Sequence, residues 1–558
     1  MNYFFKFFLV IFVFLYSEVK KIRKFYLYIF EFFLNEVKII KFLRSGLDIN
    51  EYSFKNKYFS KFLRLNKYNT IDKNRSKLKK EKIIAESLIN HPLYTLGSCI
   101  IANTLSKNKN YKVIGLIRKG DIFGTEIMKS FGINHIEIID NSNIFYRLIY
   151  LYKSFFILSN LKNIKQLLDF KIKSIEIGKA TYEHYLRFVG EPPNKINWKI
   201  IIFFSEALHY IDRTKILLKN IKPKYWIQSE KQFIPHRIIS QQVLKYKTKI
   251  IARNNIDNVS IKMYRNFKER NMNRNKIPYE LFNKLNKKYK KVILRKSEKL
   301  FFMNKKNNNI GKEVHQIIDN KKFYKKFNSK KDFKNYFNFK NSNPVTLILS
   351  HEMTDGTFAN SWNLFKNDAE WLKHTLKTIS KIKNVNFIIK QHPSEKYYNS
   401  KITTKKIFKE FIIDKKSNIK LFPDNYDVNS LTNYIDLSIT SHGSAGYEYP
   451  AKSIPTIICG ETFYSGLGFN IEPKSISEYT KIIINIPRIK KLNKFKTDRA
   501  KIFWYIFLIV TRVKMPLIYY SNVRLDYNKD QFWKNTNLKF SNLKNDQKRF
   551  DKYLINQV

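Results

Sequence analysis

Residues Asp436 to Phe469 read DLSITSHGSAGYEYPAKSIPTIICGETFYSGLGF, and the reading of this stretch decides the fold expected of the whole chain. Leu437-Ser438-Ile439-Thr440 is a short apolar run with β-branched residues, as in a buried strand. It runs into Ser441-His442-Gly443-Ser444-Ala445-Gly446, a turn without bulky side chains, and then into a helix start at Tyr447-Glu448. A strand, a small-residue turn and a helix N-terminus present backbone N–H groups to a phosphate, because the unpaired amides and the helix dipole act together. A second strand, Thr456 to Cys459, ends at Gly460-Glu461, and another glycine loop follows at Ser465 to Gly468. Two strand ends of this kind point to a nucleotide-sugar site.

Working back from that stretch, Val345 to Ser350 has the composition of a buried strand, and His351-Glu352-Met353-Thr354-Asp355-Gly356-Thr357 forms its loop. Asp368 to Ile382 places Trp371, Leu372, Leu376 and Ile379 at helical spacing. Asn386 to Lys390 is the next strand and delivers Gln391-His392-Pro393-Ser394 to the same edge; Ile419 to Phe422 is a third. In one parallel sheet the loops at the carboxyl ends converge, so these loops are expected to meet.

The same rhythm begins earlier. Ile83 to Ile89 reads as a strand, His91 to Ser98 as its loop, Cys99 to Leu105 as a helix start, and Lys112 to Ile117, His135 to Ile139, Tyr225 to Glu230 and Lys249 to Ala252 as further strands. The expected fold class is therefore α/β: two Rossmann-like domains facing a cleft, preceded by an N-terminal hydrophobic and basic helical segment. The expected divisions are 1–80 (membrane-surface helices and linker), 81–260 (an acceptor-side Rossmann-like domain), 261–340 (a basic connector), 341–490 (a nucleotide-sugar domain) and 491–558 (a basic tail).

Chemistry is expected at the loops of the second half. Lys390 and His392 suit a donor phosphate, Pro393 fixes the turn after the strand, and Ser441, Gly443, Ser444 and Gly446 hold the same phosphate through hydroxyls and amides. Glu448 or Glu461 accepts hydrogen bonds from ribose hydroxyls. Asp355 is the leading carboxylate for deprotonating an acceptor hydroxyl, with His351 and Glu352 as rivals. In the first half, Gln228, Ser229 and Glu230 end a strand that faces the cleft, and His184 and Arg187 suit an acidic acceptor. Each of these residues also has an ordinary reading as a turn or surface position; their order along the chain favours the site.

Composition narrows the classes. The formal charge is +60, from 105 Lys plus Arg against 45 Asp plus Glu. It is spread along the chain rather than gathered in one recognisable module, which fits an anionic membrane surface or anionic substrates and argues against dedicated nucleic-acid binding. The apolar run 3–16 is too short to span a bilayer and is followed, not preceded, by its basic residues, so residues 1–45 are expected to lie on a membrane surface. The two cysteines, Cys99 and Cys459, sit in apolar settings and provide neither a disulfide framework nor a cysteine zinc site, in keeping with a reducing cytoplasm. No HExxH, P-loop or GxSxG pattern occurs, and no metal site is expected because no Asp-x-Asp motif is placed at the strand ends.

The succession LILSHEMTDGTF, WLKHTLKTI, NFIIKQHPSE and DLSITSHGSAGYEYPAKSIPTIICGETFYSGLGF, with GKATYEHYLR in the first half, resembles bacterial capsule and surface polysaccharide biosynthesis proteins. That group includes the Kdo transferases of capsule assembly and is similar to bacterial sialyltransferases. The resemblance implies a two-domain GT-B-type glycosyltransferase, often using a CMP-activated acidic sugar, at the cytoplasmic face of the membrane. It implies that His392-Pro393 is an HP motif at the donor phosphate, Ser441 and Ser444 a phosphate loop, and Asp355-Gly356 the motif of the base. One acid precedes Gly356 where the family pairs two.

The expected protein is thus a metal-independent transferase, peripheral on the inner face of the membrane. It has no cofactor beyond a nucleotide-sugar donor and takes a glycan or glycolipid acceptor. The alternatives are a glycerophosphate-type polymer transferase, a sugar-nucleotide epimerase, or a non-catalytic membrane-bound assembly protein.

Overall fold

A computed structural model describes residues 56–70, 81–89, 91–140, 144–271, 276–304, 325–358, 363–397, 400–412, 418–519, 522 and 525–557. The helical segment expected over 1–45 lies outside the described residues. No helix among the described residues is long and apolar enough to cross a membrane. The chain divides into two compact units: the residues up to His184, with Pro193–Phe267 and those from Val513 on, form the first, and Tyr185–Pro192 with Lys268–Arg512 form the second.

The first unit is built on a seven-stranded sheet. In chain order its strands are β1 (Lys82–Ser87), β2 (Lys112–Ile117), β3 (Ile136–Ile138), β4 (Tyr225–Gln228), β5 (Lys249–Asn254) and β6 (Asn258–Tyr264), with the two-residue strand Val513–Lys514 at the edge. β1 pairs in parallel with β2 on one side and with β4 on the other. β3 and β5 extend the parallel part. Ile83, Ile84 and Ala85 of β1 and Trp226 and Ile227 of β4 are buried, which is why these strands read as unbroken apolar runs. The connection from β3 to β4 carries the chain across to the far side of β1. The sheet therefore reverses its winding between β1 and β4, where a crevice opens at the carboxyl ends.

Three expectations change in this unit. The loop expected over His91 to Ser98 is helical from Pro92, because proline suits the first helical position and His91 Nδ1 caps the start by accepting the Leu93 N–H at 3.3 Å. The strand series continues beyond Ala252, since β6 returns antiparallel along β5. The polar stretch expected as linker contains the helix Lys57–Thr70, whose Phe59 and Phe62 pack on Trp533, with ring centroids 4.4 and 5.2 Å away.

Residues 491–558 do not form a basic tail. The helices Asp530–Asn537 and Leu543–Ile555 supply Phe532, Trp533, Phe550 and Leu554 to the core of the first unit. The helix Lys494–Tyr505 and the π-helical turn Ile506–Val510 supply Ala500, Phe503 and Phe507 to the core of the second. Their many lysines hid a few large apolar residues at helical spacing, each worth about 1.5–3 kcal/mol when fully buried.

The second unit carries an all-parallel five-stranded sheet: β7 (Val345–Leu349), β8 (Asn386–Lys390), β9 (Ile419–Leu421), β10 (Leu437–Thr440) and β11 (Thr456–Ile458). The order is β11-β10-β7-β8-β9, so the reversal falls between β7 and β10. One face packs on the helix Asp368–Ile379 through Ile348, Ile389 and Ile439 against Trp371, Leu372 and Leu376. Trp371 Nε1 donates to the Tyr479 hydroxyl at 2.9 Å and holds that helix in place. The other face packs Leu347 and Ile388 on Phe333, Phe337 and Phe339. The segment expected as connector therefore supplies part of this core.

Candidate functional site

At the reversal point of the second sheet, three imidazoles and one carboxylate meet. β7 ends immediately before Ser350-His351, β8 before Gln391-His392, and β10 before Ser441-His442. Parallel register aligns Leu349 with both Lys390 and Thr440, so the three histidines leave the sheet side by side. The His351 ring lies 4.1 Å from that of His442 and 5.4 Å, nearly parallel, from that of His392. The carboxylate is Asp368, first residue of the helix Asp368–Ile379; it is buried and held there by a helix start capped by Asn367, whose side chain accepts the Glu370 N–H.

Asp368 organises the group. Ser441 Oγ donates to its Oδ1 at 2.5 Å, and His442 Nδ1 lies 2.8 Å from Ser441 Oγ. The serine proton is committed to the carboxylate, so His442 donates from Nδ1 and its Nε2 carries the lone pair. His351 Nδ1 stands 3.6 Å from Asp368 Oδ2. Burial works to lower the His351 pKa, but Asp368, Asp355 and Glu352 outweigh it and hold the ring above the ordinary histidine value. His442 is pushed down to about 4 by burial and by its neighbour His351, against the opposing pull of Asp368. Of these two neighbouring imidazoles beside one carboxylate, His351 is thus the one that binds a proton more readily.

His392 Nδ1 accepts the Ser394 N–H at 3.2 Å, which puts the proton of the neutral ring on Nε2. Among the described residues, His351, Asp368 and His442 also place ligand atoms within 4.8 Å of one another, a set that can take a divalent cation.

The expected residues fall into two groups. His351, His392, Ser441 and Gly443 are at this edge. Gly446 faces the Tyr464 hydroxyl, which donates to the Gly443 carbonyl at 2.5 Å and leaves no room for a side chain; a Cβ on Gly446 would stand 2.0 Å from it. Ser444 precedes the helix Ala445–Glu448, which is only four residues long, so its dipole is far weaker than that of the full helix expected from the sequence.

Other candidates are engaged in holding loops. Glu352 is buried and accepts the Thr354 N–H and hydroxyl at 2.8 Å and the Ser400 hydroxyl, so its oxygens serve the loop. Lys390 Nζ donates to the Gln391 carbonyl and lies 5.6 Å over the Phe422 ring. Pro393 opens a 3-10 turn, Asp355 is half-buried beside the histidines, and Glu448 and Glu461 are half-buried in the neighbouring loops.

Asp368 and His442 were not singled out by sequence reasoning. The Asn-Asp-x-Glu start of the helix was a legible signal, but it announced a cap rather than a site.

In the first unit, Gln228 is buried and donates to Glu86, while Glu230 Oε1 accepts the N–H groups of Lys231 and Gln232. His184 is buried on the helix Ile177–Val189, its ring against Phe203.

No family model matches the chain, and no curated protein matches it. Solved structures similar to it include Thermosulfurimonas dismutans KpsC, beta Kdo 2,7 transferase, with 12% identity, 59% of this chain and 90% of that chain covered and a TM-score of 0.33. The beta Kdo 2,4 transferase of the same organism's KpsC has 10% identity, 50% and 79% coverage and a TM-score of 0.32. The UDP-GlcNAc 2-epimerase of Methanocaldococcus jannaschii in complex with UDP-GlcNAc and UDP has 15% identity, 77% and 99% coverage and a TM-score of 0.27. Overlaps this loose assign no function, which has to be read from the site.

Proposed function

We propose that the protein is a glycosyltransferase of capsule or surface polysaccharide biosynthesis. It moves a sugar from a nucleotide-activated donor, with a CMP-sugar favoured, to a glycan or glycolipid acceptor. The observation that carries this reading is the meeting of His351, His392 and His442 with Asp368 at the reversal point of a parallel sheet, beside the small-residue turn Ser441 to Gly446.

Glycosyl transfer breaks the bond between the anomeric carbon and the phosphate oxygen, and negative charge grows on the departing phosphate. His351, whose proton affinity Asp368 raises, and the Nε2–H of His392 are donors for that charge, aligned in advance by Asp368 and by the Ser394 amide. The acceptor hydroxyl loses its proton to a carboxylate, for which Asp355 is the choice. We assign no metal to the step; dialysis against EDTA should leave transfer unchanged. The excess of basic residues suits a peripheral place on the anionic inner face of the membrane.

The test is a thermal-shift screen of CMP, UDP and GDP against wild type and His392→Ala. A nucleotide present at about 100 times its Kd adds about 2.7 kcal/mol of apparent stability. That shift should appear in wild type for CMP and shrink in His392→Ala; equal shifts in both proteins would refute the donor assignment.

A further inference from the structure

We propose that the helix Ile144–Ser159 of the first unit docks on the surface of an anionic lipid bilayer, laying Tyr146, Ile149, Tyr152 and Phe156 into the headgroup boundary beside Lys153. The proposal rests on the peripheral membrane location given above and on nothing in the donor assignment.

The sequence of this helix, IFYRLIYLYKSFFILS, is apolar almost all round. Such a helix is ordinarily buried on every side, yet this one exposes a broad apolar face. Leu151, Ser154, Phe155 and Leu158 lie inside the protein. The helix packs on Trp198–Ile221, where the Tyr150 hydroxyl donates to Asp212 Oδ2 at 2.8 Å and the Tyr150 ring lies 5.5 Å from that of His209.

Tyr146, Ile149, Tyr152 and Phe156 are instead 46–59% exposed. At 3.6 residues per turn these four positions fall within about 120° of one another around the axis, so they form one stripe. The Tyr152 and Phe156 rings stand 4.7 Å apart, which makes that part of the stripe a continuous aromatic surface. Exposed apolar side chains scattered singly are ordinary, whereas four on one face of one helix mark an interaction surface.

Charge names the occupant. No acidic residue stands between Asp140 and Asp169, while Arg147, Lys153, Lys162 and Lys165 do, all of them exposed. Lys153 falls within the stripe itself, and Asp212 beneath the helix is engaged by Tyr150. Anionic headgroups complement such a face, and tyrosine, with an apolar ring and a polar hydroxyl, suits the boundary between acyl chains and water. Two copies of this face would bring only basic side chains together. The chain's own apolar run 3–16 is followed by Lys20, Lys21, Arg23 and Lys24, so it offers no complementary charge either. Sixteen residues are too few to cross a bilayer, which takes about 20, so the helix lies along the surface.

The experiment sediments the full-length protein with vesicles of phosphatidylethanolamine and phosphatidylglycerol and, separately, with neutral phosphatidylcholine vesicles. Wild type should bind the anionic vesicles and come off as salt is raised. The double substitution Ile149→Ser with Phe156→Ser should weaken binding about tenfold or more, and Lys153→Glu about fivefold or more. These positions are exposed, so both variants should keep the melting temperature and the nucleotide shift of wild type. Phe156→Cys gives a direct readout, because Cys99 and Cys459 are buried and an environment-sensitive thiol dye goes to the new position. Its emission should move to the blue on anionic vesicles and be quenched by nitroxides on the lipid chains. Binding unaltered by the substitutions, with a silent dye, would overturn the docking helix and leave the peripheral location standing; failure of wild type to bind any vesicle would overturn both. A dye shift that appears without vesicles and grows with protein concentration would give the face to a second copy and overturn the proposal.

Discussion

The two sheets reverse their winding at equivalent places, between β1 and β4 in the first unit and between β7 and β10 in the second, yet the chemistry there is opposite. The first reversal point holds a fully buried, uncharged carboxyl, bridged across the strands by Trp226 and Gln228. The second holds a buried carboxylate that serves a serine and two imidazoles. Topology places the crevice, and the one or two residues past each strand decide what it can bind. Partners make the difference: Glu86 has no cation in direct contact to repay the loss of water and keeps its proton, whereas Asp368 has the Ser441 hydroxyl and His351, whose pKa it raises, beside it.

The sharpest way to break this contrast is to remove the carboxylate of the second point. Asp368→Ala strips His351 of its main counter-charge and Ser441 of its acceptor. Donor turnover should fall about 10²–10³-fold, the scale for losing preorganised charge stabilisation. NMR titration should show the His351 pKa falling; an unchanged His351 titration would dissolve the organising role given to Asp368.

Glu86→Gln tests the first point through pH. The folded-state pKa of Glu86, near 8, lies above its unfolded value of about 4.5, so the folded protein holds this proton more tightly. The associated stability is complete below about pH 4.5 and is lost as pH rises to about 8, at about 1.4 kcal/mol per unit of pKa displacement. Glutamine has no proton to release, so the Tm of Glu86→Gln relative to wild type should climb between pH 5 and 8. A constant difference across that range would show that Glu86 is ionised in the fold.

Gly446→Ala should destabilise the second unit by about 1–3 kcal/mol, because its Cβ meets the Tyr464 hydroxyl that pins the phosphate-turn candidate. Chemical denaturation measures it. The smallest effect is expected of Ser441→Ala, about 1 kcal/mol in the same measurement, since Asp368 loses one of its hydrogen bonds but keeps His351. A larger loss would mean that Ser441 and His442 act on Asp368 as one unit.

Much of the second sheet was legible in the chain. Val345 to Leu349, Asn386 to Lys390 and Leu437 to Thr440 are buried on both faces, and such strands announce themselves as unbroken apolar runs. The loops after them were legible for the same reason, and His351, His392 and Ser441 with them. Asp368 was not, because its Asn-Asp-x-Glu context explains it fully as a helix start. Glu86 escaped notice because an acid ending a strand is ordinary; its burial depends on Trp226 and Gln228, which reach it from β4. The last 68 residues of the expected basic tail, 491–558, misled through composition, since lysine-rich helices hid Phe503, Trp533 and Phe550.

By itself, the sequence determined the parallel sheet of the second unit, the parallel part of the mixed sheet of the first, and the loops that carry histidine, serine and glycine at the edge of the second, because burial on two faces and tight turns leave local, periodic marks. Only the tertiary structure decided which side chains share a charge. Asp368 joins His351 and Ser441, and Glu86 keeps a proton beside His236, through contacts between elements far apart in the chain, where desolvation and distance, not spacing along the backbone, set the energy.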